Sequence, residues 1–220
     1  MARHKDSGTL VIGLGRFGAS IALTLEELGT NVLAMDSDPD LVQEYSGRLT
    51  HVVQADATNM DALSQVGAAD FSVAVVGVGT SIEASVLISA NLVDLGRPVI
   101  WAKAISQAHG KILERIGCHH VVFPEKDAGK RVAHLVNGRL IDYIEFDDGF
   151  AIVKMRPPRE TQGFTLSESD IRGKYGVTVV GVKSPGRDFT YAEPTTKVSP
   201  HDLLIVSGNT ELIERFASRP

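Results

Sequence analysis

The sequence predicts an α/β chain, a doubly wound parallel sheet followed by a smaller α+β domain. Three observations carry that expectation. Through residue 137, short β-branched runs alternate with segments whose apolar residues recur every three or four positions. The first of those runs leads directly into a glycine-rich turn and a helical pattern. From Gly138 the alternation gives way to strands paired around a tight turn, so the two domains are expected at 1–137 and 138–220.

Six strands are read in the first domain: "TLVIG" (9–13), "NVLAMD" (31–36), "THVVQA" (50–55), "FSVAVVGV" (71–78), "PVIWAK" (98–103) and "HVVFP" (120–124). The helices between them each lay one apolar stripe on the sheet, Phe17, Ile21, Leu25 and Leu28 in the first and Val86, Ile88, Leu92 and Leu95 in the fourth. Asp38 followed by Pro39 reads as an N-cap and first helical residue, and Ser81 reads as a second N-cap. Gly29, Gly47, Gly67, Gly96 and Gly117 fall where helices should stop in a positive-φ cap. In the second domain, "LIDYIEF" and "FAIVKMR" flank the turn "DDG". A short helix near 167–172, the strands "VTVVGV" and "LLIVSG", and a last helix over 210–216 complete it.

Composition narrows the function classes. Hydrophobic residues make 43% of the chain and charged ones 22%, the balance of a packed globular protein. The formal charge is −5, and neither domain carries a basic tail, which disfavours a nucleic-acid partner. No apolar run approaches a membrane span and the N-terminus "MARHKDSG" is polar, so direct membrane insertion is not expected. The single cysteine, Cys118, cannot form an internal disulfide, which suits a reducing cytosol. The seven histidines show no ligand spacing, and adjacent His119 and His120 would face opposite sides of a strand.

The turn "GLGRFG" places Gly13, Gly15 and Gly18 in the G-x-G-x-x-G spacing. The first glycine permits the tight turn, the second lets backbone approach a phosphate, and the third lets helix and strand pack. Unpaired N–H groups and the positive dipole end of the helix add to an anion site. Asp36 closes the second strand, where a carboxylate can accept both ribose hydroxyls and would repel a 2′-phosphate. Asp56 and Ala57 follow the third strand, at a place suited to an adenine edge, and Lys103 ends the fifth. Arg16 adds a fork of positive charge that a dinucleotide pyrophosphate does not require, which favours a polyphosphate such as ATP.

In "FPEKDAGKR", Glu125 follows the sixth strand, several strands from Gly13 in the order 3-2-1-4-5-6. Two readings stand for it. It is a helix N-terminal residue favoured by the dipole, or, across a symmetric dimer, a ligand to Mg²⁺ or Ca²⁺ bridging phosphates. About 80 residues remain after the sheet, with no evident His–Asp pair, too little for the substrate lobe of a dehydrogenase. A binding switch is therefore expected rather than an enzyme.

The segments "VIGLGRFGASIA", "VLAMDSDP", "ADAT", "IWAKA" and "FPEKDAGKRVA", followed by "DIRGKYGVTVVGVKSPG", resemble the KtrA/TrkA family over nearly the whole chain. "GLGRFG" with "PEKDAG" leans toward its KtrA branch. The resemblance implies an RCK (KTN) N-terminal domain with a Rossmann-like sheet and an RCK C-terminal domain. It also implies a cytoplasmic subunit, peripheral to the inner face of the membrane, that assembles as dimers into an octameric ring on a KtrB/TrkH-like potassium-translocating partner.

By the same resemblance, ATP favours the active ring and ADP the inactive one, with nucleotide residues Gly13, Gly15, Arg16, Phe17, Gly18, Asp36, Asp38, Asp56, Ala57, Thr58 and Lys103. It assigns Glu125 to a divalent cation between facing nucleotides, Mg²⁺ or Ca²⁺. Cyclic di-AMP binding between C-terminal domains would involve Ile171 and Arg172, although the following "GKYGVTVVGV" departs from the relatives that bind it. NAD(H) remains a candidate ligand, since Asp36 and Asp56 do not distinguish what lies beyond the ribose phosphates. An NAD(H)-dependent oxidoreductase and a stand-alone nucleotide sensor are the alternatives.

Overall fold

The structure is a computed structural model that describes residues 8–146 and 148–219. The polar N-terminal stretch 1–7 and the first aspartate of the "DDG" turn, Asp147, lie outside the described residues. The chain forms two compact units that divide between Lys126 and Asp127.

The first unit holds β1 (Thr9–Ile12), α1 (Arg16–Glu27), β2 (Val32–Asp36), α2 (Pro39–Tyr45), β3 (Val52–Gln54), α3 (Met60–Gln65), β4 (Val73–Val76), α4 (Ile82–Leu95), β5 (Val99–Lys103), α5 (Gln107–Ile116) and β6 (His120–Val122). Its strands are all parallel in the order β3-β2-β1-β4-β5-β6, the doubly wound topology expected from the alternation. A parallel sheet needs cover on both faces, and β1 shows it. Leu10 and Ile12 enter a core with Met35, Ile88, Leu92, Ile100 and Leu113, whereas Val11 enters a separate core with Leu14, Ala22, Val32 and Ala34. β5 is covered on one side only: Ile100 and Ala102 are buried, while Val99 and Trp101 are 38% and 39% exposed. The Trp101 ring stacks on His120 of the neighbouring strand, centroids 3.9 Å apart.

Local chemistry sets the helix ends. The Asp38 carboxylate accepts from Asp40 N and Pro39 occupies the first turn of α2; Ser81 Oγ accepts from Ala84 N at the start of α4. Gly96 and Gly117 cap α4 and α5 at φ 68° and 104°, a left-handed conformation that glycine adopts without Cβ strain. Two expectations fail here. α2 ends at Ser46 in a right-handed conformation, so Gly47 is not a positive-φ cap. Leu28, placed on the buried stripe of α1 by its spacing, lies past the helix end and is 75% exposed.

α6 (Pro124–Leu135) begins in the first unit and continues into the second; the boundary expected at 137/138 falls after its end. The second unit carries an antiparallel sheet, order β10-β9-β11-β8-β7, from β7 (Leu140–Glu145), β8 (Phe150–Met155), β9 (Thr178–Lys183), β10 (Phe189–Tyr191) and β11 (Leu203–Asn209). Alternation along β8 and β11 sends Ala151, Val153, Met155, Leu204 and Val206 into one core with Ile213 and Phe216 of α9 (Thr210–Ala217). The single helix expected near 167–172 is two: α7 (Leu166–Ser169) and α8 (Ile171–Tyr175). Asp170 breaks it at φ 46°, the one described non-glycine residue at positive φ, and its carboxylate accepts from Gly173 N.

Candidate functional site

At the carboxyl ends of β1, β2, β3 and β4 the first unit encloses a cavity of about 420 Å³. This is where an open α/β sheet reverses its strand order, because β1 lies between β2 and β4 and the connections leave on opposite sides. The glycine turn forms its floor. Gly13, at φ 93°, turns the chain out of β1, with its N–H bonded to Met35 O at 2.8 Å. Gly15 is the N-cap of α1 and its missing side chain faces open space. Gly18 is different: a Cβ there would overlap the Gly13 carbonyl oxygen, so this position is closed by backbone packing. The three glycines thus divide into turn, open approach and packing, as their spacing predicts.

Asp36 holds the turn from the neighbouring strand. Its carboxylate accepts from Leu14 N and, at 2.9 Å, from Asp38 N. Asp56 faces the same cavity from the end of β3 and accepts from both the N–H and the hydroxyl of Thr58, at 2.9 and 2.7 Å. The Thr58 hydroxyl foremost, then its backbone N–H, holds the Asp56 carboxyl below its usual range. Gly13, Gly15, Asp36, Asp38, Asp56, Ala57 and Thr58 all line the cavity.

Arg16, Phe17, Gly18 and Lys103 lie outside that lining. Arg16 is exposed in the first turn of α1, and among the described residues it makes no ion pair. Lys103 Nζ stands 5.8 Å from the Phe17 ring centroid and 2.6 Å from Glu125 Oε1. Glu125 is the second residue of α6, as its helix-terminal reading requires. Its carboxyl is held below the ordinary range by the Lys103 hydrogen bond foremost, by its own backbone N–H, and by the charges of Lys103 and Arg16. In the observed order β6 stands three places from β1, as expected, and the Lys103 side chain reaches Glu125 from the intervening β5. The site is polarised: three carboxylates at one end, two cations and one paired carboxylate at the other.

The sequence reading missed the strand-end loop Gly77–Ser81. Gly77 N donates to Ile12 O at 2.7 Å, and a Cβ at Gly77 would meet Gly13 O and Gly18 Cα at 3.1 and 3.2 Å. Gly79, Thr80 and Ser81 line the cavity, as do Ala84 and Ile88 of α4. The signal was the glycine pair in "VGVGTS", which sits after a strand as the first glycine pair does. In the second unit, Ile171 and Arg172 lie together in a separate groove of about 340 Å³. Among the described residues no three His, Cys, Asp or Glu side chains converge on a metal position, and no helix is long and apolar enough to cross a membrane.

Residues 9–124 match the TrkA-N domain and residues 162–219 the TrkA-C domain. The chain is 39% identical to Ktr system potassium uptake protein C of Bacillus subtilis (strain 168) over 95% of each chain. It is 35% identical to Ktr system potassium uptake protein A of the same organism over 98% of each. Among solved structures, the GsuK channel bound to NAD superposes with a TM-score of 0.68 at 17% identity; the match covers all of this chain and 41% of that one. At that identity the likeness is one of fold. These matches set the chain among potassium uptake proteins rather than enzymes. With both domain models matched in order and two Ktr proteins aligned nearly end to end, the chain belongs to the TrkA-N/TrkA-C family of potassium uptake proteins.

Proposed function

We propose that this chain is the cytosolic, nucleotide-gated regulatory subunit of a potassium uptake system, in which an ATP-filled ring activates a membrane ion-translocating subunit and an ADP-filled ring silences it. The observation that carries the reading is the polarised cavity at the strand-order reversal. The carboxylate of Asp36 suits a ribose, Asp56 and Ala57 an adenine edge, and the glycine turn with Arg16 and Lys103 a run of phosphates. Arg16, exposed in the first turn of α1, is the group that separates three phosphates from two. NAD, bound by the GsuK channel named above, shares the ribose and phosphate chemistry and stays a second ligand of the same cavity.

Switching needs no covalent step. A nucleotide biases a ring only by its differential affinity for two arrangements, and a tenfold preference per site is about 1.4 kcal/mol, which coupled sites multiply. Apolar side chains left exposed in the first unit, among them Leu87, Val99, Trp101 and Ile112, supply surface for association of copies into dimers and an octameric ring. For a divalent cation, Glu125 offers one carboxylate. A Mg²⁺ or Ca²⁺ ion takes six or more oxygens, so it fits only with phosphate oxygens, water and a second copy completing the set. The groove at Ile171 and Arg172 is the candidate place for cyclic di-AMP.

The test is calorimetry of ATP, ADP, NADH and cyclic di-AMP with and without Mg²⁺, combined with co-purification of a potassium-translocating membrane subunit. Tight ATP and ADP binding without turnover supports the reading. Steady oxidation of NADH by a small carbonyl compound overturns it.

A further inference from the structure

Lys103 closes β5 with its side chain only 13% exposed, and its Nζ is 2.6 Å from Glu125 Oε1. Two neighbours fix that ammonium at the mouth of the cavity. A Cβ at Gly79, a lining residue, would meet Nζ at 3.2 Å, and the ring of Phe17, within the glycine turn, has its centroid 5.8 Å from Nζ. Glu125 is 67% exposed and gains its low-lying carboxyl mainly from the lysine. One largely buried cation therefore faces two anionic partners, the glutamate it already grips and any anion seated in the glycine turn. An ammonium is a compact charge on a flexible stem, so it can be drawn from one to the other, but turning toward phosphate weakens the bond to Glu125.

We propose that the Lys103–Glu125 ion pair is a latch that a phosphate-bearing ligand of the glycine turn must open, and this rests on the nucleotide reading above. Opening the latch opposes binding, so Glu125 weakens the grip on nucleotide when no divalent cation is present. The carboxylate, already exposed to solvent, loses its ion-pair partner only after phosphates have taken the ammonium. The coupling is reciprocal: whatever holds Glu125 elsewhere frees Lys103 for phosphate. Filling of the turn and availability of Glu125 are thus one linked event within a single chain.

The experiment is a double-mutant cycle read by ADP affinity, measured calorimetrically in EDTA for the wild type, Glu125→Gln, Lys103→Met and the double variant. Glu125→Gln is expected to tighten ADP about three- to fivefold, the scale of a partly exposed ion pair. In the Lys103→Met background that gain disappears. An equal gain in both backgrounds identifies simple repulsion between Glu125 and phosphate and overturns the latch, as does unchanged affinity in Glu125→Gln. Absence of ADP binding to the wild type removes the nucleotide reading and the latch with it, whereas binding without the gain removes the latch alone. Melting temperatures of the four proteins establish that each is folded.

Discussion

Replacing Gly15 and Gly18 separately by alanine separates ligand approach from packing within one six-residue turn. At Gly18 the added methyl would overlap the Gly13 carbonyl oxygen and come within 3.1 Å of the Gly13 carbonyl carbon. Both obstacles are backbone, so no rotamer relieves them. Gly77 abuts the same junction, with its own Cβ position 3.2 Å from Gly18 Cα, so α1 cannot slide toward β4 either. α1 must lift from β1 and loosen the packing of Phe17 and Ile21 against Val11 and Leu14. Overpacking of this kind costs about 1–3 kcal/mol, and the rigid obstacle sets the upper end. At about 3–4 °C per kcal/mol for a domain of this size, the melting temperature falls by about 10 °C. At Gly15, φ is −62° and nothing lies within 4 Å of the methyl, so stability stays within about 1 kcal/mol of the wild type. There the methyl occupies the open space through which, on the proposed nucleotide reading, phosphate approaches backbone. Differential scanning fluorimetry and ADP calorimetry read the two effects. Gly15→Ala melting with Gly18→Ala, or Gly15→Ala binding ADP as the wild type does, refutes the division of roles.

Three further outcomes are expected. Asp36→Ala loses the acceptor of Leu14 N and Asp38 N, costing about 1–3 kcal/mol in urea unfolding and more than about tenfold in ADP affinity, whereas Asp36→Asn retains an acceptor and loses less stability. His109 is 1% exposed, and burial pushes its imidazole below the usual range, so the folded chain holds it neutral. Its penalty is absent above about pH 6.5, where the unfolded histidine is also neutral, and grows as pH falls and only the unfolded chain takes the proton. Urea midpoints from pH 7.5 to 5 should therefore decline more steeply in the wild type than in His109→Gln. Arg131→Met releases the Asp142 carboxyl, now held low chiefly by the 2.6 Å hydrogen bond from Arg131. Because both side chains are about half exposed, the loss is under about 1 kcal/mol; it is present above about pH 4 and vanishes as acid protonates Asp142.

The first unit was legible because its strands are buried on one or both faces, which leaves short apolar runs, and because its helices begin at side chains that cap them, Asp38 and Ser81 among them. The site was legible where backbone geometry demands a residue type, as at Gly13 and Gly18, or where a carboxylate ends a strand, as at Asp36. β10 was missed because Phe189–Tyr191 is a three-residue edge strand with every side chain exposed, so it carries no inside–outside alternation. The break at Asp170 was missed because an aspartate in the left-handed region leaves no mark in apolar periodicity. The Lys103–Glu125 pair escaped notice for another reason. Strand order places strand ends, but it does not say where a long side chain such as Lys103 reaches.

The central claim is that Arg16 senses the third phosphate. Its most direct test is the ratio of ATP to ADP affinity in the wild type and in Arg16→Ala, with the quaternary shape of each complex followed by small-angle scattering. A wild-type preference for ATP with a distinct ring shape, both lost in Arg16→Ala, is the predicted result. Equal affinities and one shape for the two nucleotides in the wild type, or a preference that survives without the guanidinium, contradicts the account.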